Sequence, residues 1–236
     1  MSQHHLQGRN DSEILWFQRR QFLQAAAAWT AMGSSLGAHA QNRSNIVQLV
    51  GDATVNGLRL RPEQTIQTGD EIQTGPNSYL IFVLGNSSFH VRQNSRLQVG
   101  RGATISTVSL LRLLTGAIVS VWGKGPTRHI FAPTMTIGIR GTGVYTEVFA
   151  EQDNRTYFCN CYGTVQLDAG NDSVLYKSEH HQAYWGEVTP QEGRLLTPAK
   201  LINHSDEEVE FLARLVDQRT AWQISGIKGE KDSSGY

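Results

Sequence analysis

The stretch that decides the fold is Ser109–Phe149, SLLRLLTGAIVSVWGKGPTRHIFAPTMTIGIRGTGVYTEVF. Two apolar runs, Leu110–Leu114 and Ala117–Trp122, are joined by Thr115-Gly116. A crossing at Gly123-Lys124-Gly125-Pro126 leads to His129–Ala132, and a third run follows from Thr136 to Val148. Short β-branched runs broken by glycines at this interval are the pattern of an all-β core. Arg140-Gly141-Thr142-Gly143 is the sharpest break. Two glycines one residue apart allow backbone angles, or a close approach, that a Cβ forbids. This step is expected to be a bulge or corner where a strand changes sheets, with a ligand loop as the alternative.

Working outward toward the N-terminus, strand signals continue. Tyr79–Leu84 is a continuous apolar run and reads as a strand buried on both faces. Gly85-Asn86 turns it back into Ser88–Val91, and Arg96–Val99 is a further short strand. Asn56-Gly57 is a strong hairpin signal. Toward the C-terminus, Arg155–Leu167 reads as a strand, a glycine turn and a strand, and Thr189–Thr197 reads as a loop. One helix is predicted over about residues 206–219. Ser205 and Glu208 have capping-box spacing, acidic residues fill the first turn, and Val209, Leu212 and Val216 make an apolar stripe.

The first forty residues are not read as fold. Arg19-Arg20-Gln21-Phe22-Leu23 precedes a weakly apolar stretch that closes on Ala38-His39-Ala40, an A-x-A cleavage pattern. The paired arginines resemble a twin-arginine (Tat) export signal, with Gln24 in place of the usual lysine. The apolar stretch is too short and too diluted to span a bilayer, so no stable span is expected after cleavage. The chain therefore divides into a signal at 1–40, a β domain at 41–170, and a C-terminal extension at 171–236 that ends in a flexible tail. A Tat-type signal resembles those of proteins exported already folded, sometimes with a cofactor loaded inside, and the expected compartment is the periplasm.

A formal net charge of zero and a charged fraction of 18% leave no basic footprint for nucleic acid and no polybasic membrane patch. Apolar residues make up 39%, below the usual share, yet the runs above are long enough to bury a core. Two cysteines exclude a multi-disulfide scaffold.

The order of Gly51-Asp52-Ala53, Gly69–Gly75, Tyr79–Leu84, Leu111–Ile118 and Ile139-Arg140-Gly141-Thr142 resembles the FecR domain, over about Ile46 to Leu167. Where that family usually turns on Asp-Gly-Ser, this chain has Gly85-Asn86-Ser87-Ser88. The resemblance implies a periplasmic, non-enzymatic, all-β domain. The expected layout is a FecR-like β-sandwich or β-solenoid of short antiparallel strands with one C-terminal amphipathic helix. In the best-known family members this domain lies between an anti-sigma segment with one membrane span and a receptor-facing module. Neither is recognised here, so the expectation is a stand-alone exported module for binding or signalling, recognising an envelope protein or a small ligand.

Cys159 and Cys161 carry the main chemical signal. Two apart on a strand, both thiols face one side. Three histidines follow them, His180, His181 and His204. Two thiolates and two imidazoles make a tetrahedral Zn²⁺ site, and sulfur-rich sets also suit Cu⁺. The spacing is not the C-x₂-C of zinc ribbons. Inert buried thiols are a rival reading. So is a strained disulfide, because alternate strand residues lie about 6.5–7 Å apart at Cα, the upper limit for a bridge. A metal- or cofactor-binding protein is thus the alternative function. His180-His181 reads as a strand pair, and His90 and His129 as structural or solvent-facing. Catalysis has thin support: Ser87-Ser88, His90 and Asp70 could be assembled into a triad on paper, but no nucleophile elbow is present. No glycine loop leads into a helix as a phosphate site requires.

Overall fold

In the computed structural model, which describes residues 44–226, the two apolar runs of the deciding stretch form one long strand. We number the elements in chain order. β1 (Ile46–Val50), β2 (Ala53–Val55), β3 (Leu58–Arg59), β4 (Glu71–Thr74), β5 (Tyr79–Leu84), β6 (Ser87–Val91) and β7 (Arg96–Val99) precede it. The long strand is β8 (Leu110–Trp122); β9 (Arg128–Phe131), β10 (Thr136–Phe149) and β11 (Arg155–Ala169) follow. Then come β12 (Asp172–Ser178), β13 (Gln182–Gln191), β14 (Arg194–Ala199), α1 (Asp206–Arg214) and α2 (Ala221–Ser225).

Three long strands bend in the middle, and each bend falls on a left-handed glycine. β8 turns at Gly116 (φ +76°), β10 at Gly141 (φ +63°) and β11 at Gly163 (φ +98°). A Cβ at Gly163 would lie 2.7 Å from the Thr142 Cβ, so the β10 and β11 corners nest on one another. The bends exchange partners. Before its corner β10 pairs with β9 (Thr136–Ile139), and after it with β8 (Gly143–Val148). β11 pairs with β13 over Thr156–Asn160 and with β12 over Gly163–Ala169. Thus Arg140-Gly141-Thr142 is a corner between sheet halves.

The described strands form one mixed, fourteen-stranded sheet, folded across itself like a sandwich and not closed into a barrel. Its halves are β3-β2-β4-β7 with β9, β12, the first segments of β8 and β10 and the second segment of β11, and β1-β5-β6 with β13, β14, the second segments of β8 and β10 and the first segment of β11. Leu97, Leu111, Ile130, Ile137 and Leu167 from one half meet Phe82, Phe89, Ile118, Trp122 and Phe158 from the other. A second apolar cluster lies on the outer face of the second half. There Ile81, Val119, Val121, Tyr145 and Tyr157 are covered by Val209, Phe211, Leu212 and Trp222 of the two helices. β5 alternates between these clusters, which explains its continuous apolar run.

Several expectations need correction. Strands of 13–15 residues replace some of the short ones, and β8 and β9 run parallel. Thr189–Thr197 is not a loop but the tip of the β13–β14 hairpin, where Pro190 is accommodated on the stretch that lacks ladder partners. The single helix over 206–219 is two helices, interrupted where Asp217 takes φ +53°. Ser205 caps α1 without a side-chain hydrogen bond; the capping box belongs to Thr220 and Gln223 at α2. Among the described residues no helix is long and apolar enough to cross a membrane. The Arg19, Arg20, Ala38 and Ala40 signal and the terminal tail lie outside the described residues.

Candidate metal centre

Alternation along β11 puts Tyr157, Cys159 and Cys161 on the outer face of the sheet, beneath the helices. Both cysteines are free and fully buried. Two further segments converge on them. The turn from β12 to β13 brings His180 and His181, which are therefore turn residues and not a strand pair. His181 takes φ +38°, a conformation few non-glycine residues adopt, while its N–H donates to the Cys161 carbonyl at 3.0 Å. The linker from β14 to α1 brings His204, whose ring stacks on Tyr145 with centroids 4.7 Å apart.

The donor atoms of Cys159, Cys161, His181 and His204 all lie within 4.8 Å of one another. Cys159 Sγ is 3.5 Å from His181 Nδ1, and Cys161 Sγ is 3.4 Å from His204 Nε2. The two imidazole nitrogens are 3.2 Å apart. A tetrahedral ion with bonds of about 2.3 Å to sulfur and about 2.0 Å to nitrogen would hold S and N roughly 3.5 Å apart and N and N roughly 3.3 Å apart.

The other nitrogen of each ring fixes its tautomer. His204 Nδ1–H donates to the Ile202 carbonyl at 2.7 Å, and a carbonyl can only accept. His181 Nε2–H donates to Asp206 Oδ1 at 2.8 Å. With both rings neutral each would aim a lone pair at the other across 3.2 Å, and either a proton on His181 Nδ1 or a metal cation between the two nitrogens relieves that contact. A histidine backed by a carboxylate or a carbonyl is the usual second layer of a metal site.

The electrostatics agree. Burial favours the neutral thiol at Cys159, yet hydrogen bonding with Cys161 and the His204 and His181 imidazoles carry it well below the ordinary thiol range. Burial and the neighbouring Cys159 sulfur push Cys161 well up. Burial disfavours the His181 imidazolium, but Asp206 and Cys159 outweigh it and raise the ring to about 9. The pocket is built to hold positive charge against sulfur.

His180 does not join the four. Its Nε2 faces both Asp206 oxygens, at 3.0 and 3.2 Å, and its ring meets Trp222 edge-on with centroids 5.0 Å apart. His90 lies apart, with Nδ1 2.6 Å from Glu208 Oε1. His129 sits in β9 near Phe131. Asp206 was missed as a site residue. The clue was its place two residues after His204, masked by its ordinary role in a helix first turn.

No family model and no curated protein sequence matches the chain. Among solved structures, two crystal structures of a candidate anti-sigma factor from Parabacteroides distasonis are similar. They align with TM-scores of 0.45 and 0.44 and 10% identity, over 61% of this chain and 64% of theirs. The chain thus spans less than two thirds of the length of those chains.

Proposed function

We propose that the chain is a non-enzymatic binding module whose ligand is one thiophilic metal ion, Zn²⁺, held by Cys159, Cys161, His181 and His204. The observation that carries this reading is the pair of committed imidazoles, His181 Nδ1 and His204 Nε2. Their free nitrogens converge on the region already faced by two sulfurs, and an ion that displaces the His181 Nδ1 proton would find both lone pairs there. Sulfur–nitrogen edges of 3.5 and 3.4 Å suit one ion. A two-iron cluster, with sulfurs on one iron and imidazoles on the other, would hold them farther apart. Four protein donors fill a tetrahedron and leave no position for substrate or water, which favours a structural or sensing role over catalysis.

The reading fits the sequence expectation of a FecR-like domain exported by the twin-arginine route to the periplasm. That route would deliver a site already closed by residues 43 positions apart in the chain. The metal then serves as the recognised ligand, and envelope-protein recognition is a further role of the same module.

Metal analysis tests the proposal. Protein purified with Zn²⁺ and dialysed should retain one equivalent, and a Cys159→Ser, Cys161→Ser double variant should retain none. Equal, near-zero metal in both would overturn it. Cu⁺ retained in strong preference to Zn²⁺ would replace the ion but keep the site.

A further inference from the structure

The two sulfurs are sealed from solvent, and this poses a question of access. Cys159 and Cys161 are fully buried, and their cluster is walled by Tyr157, Tyr162, Val209, Leu212 and Trp222. On one side only a histidine ring separates them from a cleft. That cleft has a volume of about 540 Å³ and is lined by the turn from Lys177 to Gln182 together with Ser225. Side-chain exposure is 21% for His180, which lines the cleft, 20% for its partner Asp206, 5% for His181, and none at the sulfurs.

We propose that His180 and Asp206 form an outer docking pair that captures the hydrated ion from the cleft and passes it along the edge of the His181 ring to the inner site. This rests on the metal reading above. The pair offers an imidazole nitrogen and a carboxylate, whose donor atoms lie within 4.8 Å of one another and of His181. Nitrogen and oxygen donors suit an ion that still carries water, whereas the thiolates hold it once water is gone. His181 stands between the two stations, Nε2 toward Asp206 and Nδ1 toward Cys159.

Asp206 acts twice in this sequence. It first ligates the incoming ion, then accepts the His181 Nε2–H that holds the seated ion's ligand in place. Docking displaces the proton on His180 Nε2, and seating displaces the protons on the Cys161 thiol and on His181 Nδ1. All of them pass to water in the cleft, and no electrons move.

His180 is the clean probe because it is not one of the four inner ligands. Metal-free protein is mixed with Co²⁺ alone, and the sulfur-to-cobalt charge-transfer band is followed by stopped flow. In His180→Gln the uptake rate should fall roughly tenfold while the final spectrum and stoichiometry stay those of the wild type. Release to a chelator should slow by the same factor, since the end states are unchanged. His180→Glu, which restores a second donor to the pair, should recover most of the rate and guards against a packing loss beside Trp222. An unchanged rate with an unchanged end point would overturn the docking pair and leave the inner site standing. Absence of the band in the wild type would overturn both.

Discussion

Asp206 does more than complement a helix dipole. It accepts from His181 at 2.8 Å and from His180 at 3.0 Å, and these contacts, outweighing the opposing effect of burial, hold its carboxyl down at about 2. Asp206→Asn keeps the volume but removes the charge that fixes the His181 tautomer. Zinc affinity should fall by about 10–100-fold with one-to-one stoichiometry retained, as loss of a supporting carboxylate usually does. Competition against a chromophoric chelator measures it, and unchanged affinity would show that His181 needs no such support. At this scale the sequence was partly legible. The i, i+2 spacing of Cys159 and Cys161 required a shared face, because strand period is two. The choice of His181 over His180 was not readable. It depends on a left-handed turn at His181, and His180 beside it carries the same side chain and so the same tendency toward that conformation. Asp206 was hidden for a different reason: an acidic residue is ordinary in a helix first turn, and the His181 that it supports lies 25 residues upstream.

Among the elements, α1 is attached to the sheet by charge as well as by its apolar stripe. Glu208 is buried between Arg92 and His90, with both contacts at 2.6 Å. Burial alone would raise its pKa; Arg92 and then His90 outweigh burial and bring it from 4.5 to about 2. A carboxyl whose pKa is depressed by folding stabilises the fold above its unfolded value, and that contribution fades as pH falls through the folded one. The pair of values spans a window from about pH 5 to about pH 2 and a contribution on the order of 3 kcal/mol. Urea midpoints measured across that window should fall steeply in the wild type. In Glu208→Gln they should start lower at pH 7 and change less, and parallel curves would refute the assignment. The same ion pairs explain why the expected capping box failed. Glu208 has the right spacing from Ser205, but partners more than 100 residues away compete for its carboxylate more strongly than a backbone N–H does. The β13–β14 hairpin went unread because Pro190 and the Glu192-Gly193 turn carry loop letters. Its ladder is carried instead by Ala183–Gly186 and Leu196–Ala199 on either side.

For the whole molecule, the glycine-broken runs of Ser109–Phe149 were enough to indicate a β body with a corner at Arg140-Gly141-Thr142. They could not reveal that one sheet folds over itself, because each bend exchanges strand partners from distant parts of the chain. This layout also divides the molecule unequally. All four candidate donors come from β11 and the chain after it, and none from β1–β10. An ion joining Cys161 to His204, as proposed, would work as a staple across 43 residues, and removing it would restore the entropy of an open loop. Lys200, Arg214 and Arg219 are already exposed, and chelator treatment should loosen the backbone around them so that trypsin cuts there first. The segment from β1 through β14 should persist as one resistant fragment, still rich in strand by circular dichroism. Digestion that proceeds at the same pace everywhere would mean that the C-terminal helices hold their place without the staple.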